Sequence, residues 1–167
     1  MNFELKALTA AAAAREKCDL LLVLVSEHAA LGSDALGTMA AHAVKQGDFA
    51  LSCGKQLALY QVPAIAARRV VLLGVGAGTA KDVRNALASC ASALKSEGVT
   101  KAVVSLTFEA NAQIVAAAVQ AVADVTYLYT HTKSQAKPIG LTKVVLGVIS
   151  KNAAVASAFE TAVAQQE

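Results

Sequence analysis

The sequence lacks the features that mark membrane, secreted and disulfide-stabilised proteins. No apolar run approaches the roughly 20 residues of a membrane span, and the strongest candidate, Leu20–Val25, has the length of a buried strand. The three cysteines, Cys18, Cys53 and Cys90, form neither an even framework nor a CxxC pair. The amino-terminal "MNFELKALTA" has no basic start or apolar core of a secretory signal. We therefore expect a cytoplasmic protein with reduced thiols and no membrane contact.

Proline and concentrated charge are also scarce. Only Pro63 and Pro138 interrupt the 167 residues, and no linker divides them, so we expect a single domain over residues 1–167. The net charge is +3, but Arg68 and Arg69 are the only adjacent arginines, and no block of five is mostly basic. A duplex-binding protein usually concentrates its positive charge on one face. The sequence thus argues against nucleic acid as a partner; a DNA-binding accessory protein would show duplex affinity that falls steeply with salt.

What the chain does contain is alanine and short aliphatic runs, with 56% hydrophobic residues and a mean hydropathy of +0.51. Some of these runs alternate with polar residues, which indicates half-exposed strands, whereas others are continuous, which indicates strands buried on both faces. The seven candidate strands are NFELKAL, DLLLVLVS, KQLALYQV, RRVVLLGVG, KAVVSL, VTYLYT and KVVLGVIS.

Helical patterns separate these runs. From Thr79 to Gly98 the apolar positions recur at steps of four and three, and Thr79 with Asp82 resembles a capping box. Further helices are predicted from Ser33 to Gln46, behind a cap at Asn111, and along the last stripe of Val155, Phe159 and Val163. The run "AAAAA" predicts a short helical turn or linker. Alternating strands and helices predict an α/β fold, with three α/β/α layers around a mixed, mostly parallel sheet.

The stretch "VVLLGVGAGTAKD" predicts a strand, a tight loop and a helix start, which is where α/β proteins hold phosphates. Its glycines, Gly74, Gly76 and Gly78, spell G-x-G-x-G, one residue short of the dinucleotide fingerprint. Glu97 lies at a helix end and not on the next strand, where a ribose-binding acid would stand. The loop is more simply explained as a structural corner, and binding of a ligand there stays the alternative.

No catalytic constellation emerges from the other polar residues. His28, His42 and His131 are too far apart for a local metal motif, and Cys53 would need a histidine beside it in space to act as a nucleophile. We expect a buried or unreactive thiol at Cys53 and a solvated His42. The acids are scattered as caps and on solvated faces (Asp34, Asp48, Asp82, Glu97 and Glu160), and Lys133 and Lys137 indicate a solvated loop. The residues alone predict no catalytic, cofactor-binding or metal site.

Taken in order, several segments resemble the amino-terminal domain of the cytosolic leucyl aminopeptidases. They are CDLLLVLVSEH, KQGDFALSCGKQLALYQVP, RRVVLLGVGAG, ALASCASALKSEGVTKAVVSL and YLYTHTKS. The chain departs from the family's pattern at Leu51–Cys53 and in "YTHTKS", which lacks the usual aspartate. The resemblance implies a macro-domain-like fold.

The resemblance also implies a parent enzyme that is a hexameric two-metal exopeptidase, using zinc or manganese to release amino-terminal residues from peptides. The family's catalytic half carries "GKG…FD.GG" and "NTDAEGR" motifs, and this chain has neither, so no functional residue is carried over. We therefore expect the non-catalytic amino-terminal domain, whose partner is the catalytic domain of the same polypeptide and whose role lies in assembly and active-site access. The alternative is a stand-alone macro-like module that binds ADP-ribose or a related nucleotide at the glycine loop.

Overall fold

A computed structural model of the chain describes residues 2–27, 35–96, 98–132 and 140–166, with only the backbone for Ala10 and residues 127–132. Within these ranges, strands and helices alternate along the sequence. The strands are β1 (Asn2–Ala7), β2 (Leu20–Val25), β3 (Gln56–Tyr60), β4 (Arg69–Gly74), β5 (Lys101–Leu106) and β6 (Lys143–Val148). The helices are α1 (Ala10–Arg15), α2 (Ala35–Gln46), α3 (Ala80–Ser89), α4 (Ala91–Leu94), α5 (Ala112–Thr132) and α6 (Ala153–Gln165).

The strands form a six-stranded sheet in the order β1-β6-β5-β2-β4-β3. Every neighbouring pair is parallel except β3 and β4, which run antiparallel. The strands at the two edges, β1 and β3, are those whose sequences alternate, because a strand at an edge keeps part of its surface in water. The predicted mixed, mostly parallel sheet is confirmed.

Helices cover both faces of the sheet, as the burial of β2 shows. All six of its residues are buried, because successive side chains point to opposite faces and both faces are covered. Leu20, Leu22 and Leu24 pack with α3, α4, α5 and α6, on what we call the front face. Leu21, Val23 and Val25 pack with α1 and α2 on the back face. The predicted three-layer α/β/α arrangement is confirmed.

One predicted strand is wrong. "VTYLYT" lies inside α5, which continues to Thr132 and packs against α3 and α6. The β-branched and aromatic residues favoured a strand, but the Thr126 hydroxyl donates to the carbonyls of Val122 and Ala123 in the preceding turn, as threonine does in helices. Packing against two helices outweighs a propensity difference of a few tenths of a kcal/mol per residue.

The single helix predicted from Thr79 to Gly98 is interrupted at Cys90, where α3 ends and α4 begins. The side-chain Nε2 of Gln56 on β3 donates to the Ser89 carbonyl at 3.0 Å. This carbonyl at the end of α3 therefore has a hydrogen-bond donor from another element. The predicted apolar stripe still faces inward. Its members, all fully buried, are Val83, Leu87, Cys90 and Leu94.

The predicted helix caps and the other helices agree with the structure. The hydroxyl of Thr79 accepts from the Asp82 N–H at 3.2 Å, and Asn111 accepts from the Ile114 N–H at 2.9 Å. Gly98, with φ of +85°, follows α4 at the end of the helical stretch predicted from Thr79. The helix predicted from Ser33 to Gln46 is observed as α2 from Ala35 to Gln46, and its predicted start at Ser33 lies outside the described residues.

Candidate binding crevice at the carboxyl ends of the central strands

The glycine loop lies between β4 and α3, at the carboxyl edge of the sheet. It adjoins the end of β2, where Glu27 donates its N–H to the Gly76 carbonyl at 2.8 Å. β4 and β5 are followed by helices of the front face, whereas α2, the helix after β2, lies on the back face. Such a reversal is where open α/β sheets bind ligands, so this edge is the first place to look for a site.

The amide groups of the loop already have partners in the protein. Gly74 donates its N–H to the Lys55 carbonyl at 2.8 Å, and Gly76 donates to the Leu51 carbonyl at 2.8 Å. Val75 donates to the end of β2, and Gly78 donates back to Val75 at 2.9 Å. A phosphate cradle needs several N–H groups that point at the ligand. In this loop the N–H groups of Gly74, Val75, Gly76 and Gly78 donate to carbonyls of the protein, so they are not free to bind a phosphate.

Packing explains the glycines at both ends of the loop. A Cβ on Gly74 would lie 2.5 Å from the Ser52 carbonyl oxygen and 2.8 Å from that of Ala50, so only glycine admits the segment before β3. Gly78 has φ of +77°, and its Cβ would meet the Phe108 ring and the Ser26 Cβ at 3.4 Å. At both Gly74 and Gly78, close packing therefore supports the interpretation of the loop as a structural corner.

The amino terminus of α3 is also occupied from within. Thr79 caps it, and the first turn contains the acidic Asp82. A carboxylate in the first turn compensates the positive end of the helix dipole, which makes the terminus less attractive to a second anion. Together with the paired loop amides, this gives no support to the nucleotide-binding alternative.

Among the described residues, the surroundings of the three cysteines disfavour activation of their thiols. The Cys53 side chain is exposed, not buried, and its Sγ donates to the Asp82 carbonyl at 3.3 Å. Partial burial and the nearby Asp82 carboxylate raise the pKa of the Cys53 thiol. Burial raises the pKa of Cys18 and of Cys90 to about 11. Because the thiolate is the nucleophile, these pKa shifts give no support to a reactive thiol at neutral pH.

The structure brings no metal-binding set together among the residues it describes. His42 is exposed on α2 as expected, whereas His28 and the side chain of His131 lie outside the described residues, as do Asp34, Glu97, Lys133 and Lys137. In the described ranges, no three His, Cys, Asp or Glu residues gather closely enough to hold an ion. The described residues do not fit a two-metal centre.

A polar cluster that the sequence did not predict lies at the opposite, amino edge of the sheet. The Asp19 Oδ2 accepts from the Thr100 N–H at 2.9 Å, the Thr100 hydroxyl at 2.7 Å and the Lys101 N–H at 3.1 Å. These hydrogen bonds, led by that of the Thr100 amide, lower the pKa of Asp19. Glu16 contacts Lys6 at 2.9 Å and Lys101 at 3.3 Å. The cluster fastens the start of β5 to the start of β2.

Comparison with known proteins then identifies the family. The profile of the "Cytosol aminopeptidase family, N-terminal domain" matches residues 23–136. The chain belongs to this family. The cytosol aminopeptidase match begins within β2 and includes the glycine loop, β5 and all of α5.

Curated relatives are named as cytosol aminopeptidases too. A probable cytosol aminopeptidase of Verminephrobacter eiseniae is 54% identical over 148 residues, which cover 89% of this chain and 28% of that protein. One from Acidovorax sp. (strain JS42) is 51% identical over 156 residues, covering 92% of this chain and 31% of that protein. The chain thus spans about three tenths of the length of these relatives.

Two solved structures share the fold of this cytosol aminopeptidase domain. A mutant of tomato leucine aminopeptidase superposes with a TM-score of 0.69 at 18% identity, over 98% of this chain and 35% of that one. The bottromycin maturation enzyme BotP in complex with Mn gives a TM-score of 0.57 at 18% identity, over 89% of this chain and 30% of that one. At these identities the likeness shows the α/β fold alone.

Proposed function

We propose that residues 1–167 form one non-catalytic domain of a cytoplasmic metalloaminopeptidase, and that it serves assembly and access to an active site built elsewhere. The observation that carries this proposal is the family match over residues 23–136, in relatives about three times as long as this chain. The longer protein would release amino-terminal residues from peptides, as the name of its relatives indicates.

The metal chemistry of the longer protein belongs, on this proposal, to residues outside this chain. Two divalent ions, zinc or manganese, activate water and polarise a peptide carbonyl when several carboxylates converge on them. Three of the carboxylates among the described residues instead make contacts within the fold. Glu16 pairs with lysines, Asp19 accepts three hydrogen bonds, and Asp82 lies in a helix cap.

The assembly role is consistent with the way the domain is built. A buried hydrophobic cluster covers each face of the sheet, and β1 and β3 are its edge strands in the described ranges. A domain of this kind can contact neighbouring subunits and restrict substrate access to a distant active site. It does so without contributing a reacting group. A hexameric parent remains part of this proposal. No helix in the described ranges is long and apolar enough to cross a membrane.

A turnover assay tests the proposal. The purified chain is incubated with manganese or zinc and leucine p-nitroanilide, and product release is compared with that of metal in buffer alone. We expect no release above this background, and no rise in melting temperature on adding metal, because an ion bound only by the folded state would stabilise it. A full-length cytosol aminopeptidase in the same assay is the positive control. Saturable turnover by a preparation free of host aminopeptidase would contradict the non-catalytic assignment.

A further inference from the structure

The outer edge of β3 offers a row of unpaired backbone groups. The neighbouring hydrogen bonds fix which residues face outward: Gly74 donates to the Lys55 carbonyl and Gln61 donates to the Arg68 carbonyl, so odd-numbered residues pair with β4. The N–H and C=O groups of Gln56, Ala58 and Tyr60 therefore point away from the sheet. β3 is the last strand of the order, so within the described ranges no other strand covers them.

The side chains of β3 do nothing to discourage a partner. From Gln56 to Tyr60 the strand has no charge, and Tyr60 is 66% exposed, the most exposed large apolar residue among those described. Leu57 and Leu59 on the back face are only half-buried. Uncharged, apolar edge strands are templates for pairing, and proteins that must avoid it place charge or proline there.

We propose that β3 is a self-association edge, at which a second copy of this chain adds its own β3 in antiparallel orientation about a two-fold axis at Ala58. The inference rests on the assembly role proposed above and names the surface that performs it. In this register Ala58 faces Ala58 of the second copy, while Gln56 faces Tyr60 and Tyr60 faces Gln56. All three residues point their backbone groups outward, so each facing pair exchanges hydrogen bonds in both directions. The two sheets become one continuous sheet.

The same register makes the side chains complementary. On the back face Leu57 of one copy lies opposite Leu59 of the other, which covers two half-buried apolar residues. On the front face Tyr60 lies opposite the uncharged Gln56, and the small Ala58 at the axis lets the strands approach. Lys55 lies opposite Gln61, so no like charges face each other across the axis. A two-fold interface needs this kind of self-complementary patch.

Sedimentation velocity on the whole 167-residue chain tests the association, at concentrations from about 10 µM to about 1 mM, as suits a small interface. We expect the average mass to rise with concentration from the monomer value of 17.0 kDa towards that of a dimer. Ala58→Lys places two lysines opposite each other at the axis, and we expect it to weaken association about tenfold or more. Ala58 is exposed, so this variant should keep the circular dichroism spectrum and urea midpoint of the wild type.

Ala7→Lys is the matched control, because Ala7 is an exposed alanine whose backbone faces outward on the opposite edge strand, β1. It adds the same charge to the same chain and should leave association unchanged.

A charge exchange tests the register itself. Ala58→Glu alone should also be monomeric, since it repels its own copy, but a mixture of the Ala58→Lys and Ala58→Glu chains should form a one-to-one dimer. Only a contact in which position 58 faces itself produces this rescue.

The outcomes separate the two proposals. A wild-type chain that stays monomeric throughout would overturn both the edge and the assembly role of this domain. Association that survives Ala58→Lys would leave the assembly role standing and show that β3 is the wrong surface. Loss of association in Ala58→Lys without rescue in the mixture would overturn the two-fold register at Ala58.

Discussion

The two edges of the sheet are built on different chemistry. On β1, Glu4 and Lys6 alternate with Phe3 and Leu5, so the charged residues occupy the back face and the apolar ones join the front core. Glu4 pairs with Lys143 at 3.0 Å and Lys6 with Glu16 at 2.9 Å. On β3 the corresponding positions are Leu57 and Leu59, and Tyr60 stacks under the Arg69 guanidinium at 5.5 Å.

The two edges differ in whether their side chains oppose pairing with another strand. Charges along β1 form ion pairs over the part of the back face next to that edge, and inward charges of this kind oppose pairing with another chain. β3 carries no charge, and outside its pairing with β4 it makes uncharged polar contacts, such as that of Gln56 with the α3–α4 junction. The charges of β1 therefore oppose pairing with a further strand, whereas the uncharged composition of β3 favours it.

The largest expected effect is on stability, when alanine replaces a glycine on the strand next to each edge. These glycines are Gly74 on β4, beside β3, and Gly147 on β6, beside β1. Gly74→Ala forces a Cβ to within 2.5 Å of the Ser52 carbonyl oxygen, and backbone must move. Gly147→Ala meets the end of the Leu8 side chain at 2.9 Å, which can rotate, and the Leu8 Cβ at 3.1 Å, which needs a shift of a few tenths of an ångström. We expect Gly74→Ala to lower the free energy of unfolding by about 3 kcal/mol and Gly147→Ala by about 1 kcal/mol. Urea unfolding measures both, and equal losses would contradict the distinction.

An intermediate effect is expected at the amino edge. Asp19→Ala removes the acceptor of three hydrogen bonds and leaves the Thr100 and Lys101 N–H groups to water. Because these groups are partly exposed, we expect a loss of about 1–2 kcal/mol in the free energy of unfolding. Asp48→Ala is the control, since Asp48 is exposed beyond the end of α2, and it should change stability by less than about 0.5 kcal/mol. A similar loss in both variants would argue against the Asp19 cluster.

The carboxylates of this cluster, together with Glu4 on β1, give stability an acid dependence. Hydrogen bonds from Thr100, Lys6 and Lys143 lower the pKa values of Asp19, Glu16 and Glu4 respectively. Their stabilisation is complete above the ordinary values of 3.8 for Asp and 4.5 for Glu, and it is lost as pH falls through the lower folded values. As pH is lowered from 6, the urea midpoint should therefore decrease once pH falls below these ordinary pKa values. The decrease should be smaller in Asp19→Asn. A midpoint that does not change would contradict the pKa directions.

The smallest expected effect concerns the contact that holds β3. Gln56→Ala removes the donor to the Ser89 carbonyl and the acceptor that lies 3.6 Å from the Cys90 thiol. We expect a loss of about 1 kcal/mol in the free energy of unfolding, with faster amide exchange confined to β3 and the α3–α4 junction. Gln113→Ala, at an exposed position of α5, is the matched control. Faster exchange throughout the sheet would show that the contact stabilises more than this edge.

Local patterns in the sequence determine much of this fold. Continuous aliphatic runs predict β2, β4, β5 and β6, because a strand buried on both faces needs apolar residues at every position. Alternation identifies β1 and β3 as half-exposed, and the caps at Thr79 and Asn111 are recognisable because a helix start needs an oxygen near its free N–H groups. The order of motifs predicts the family, which the comparison confirms.

The tertiary structure decides what depends on residues distant in sequence. "VTYLYT" is helical because α5 packs on α3 and α6, and the helix from Thr79 breaks at Cys90, where Gln56 reaches Ser89 across 33 residues of sequence. The role of the glycine loop depends on the segment at Ser52, which packs on Gly74. Asp19 acquires its role only when the sheet brings Thr100 beside it, 81 residues on. Periodicity and capping act over a few residues and are visible in one sequence, whereas strand order, and with it the difference between the two edges, arises only when the chain packs.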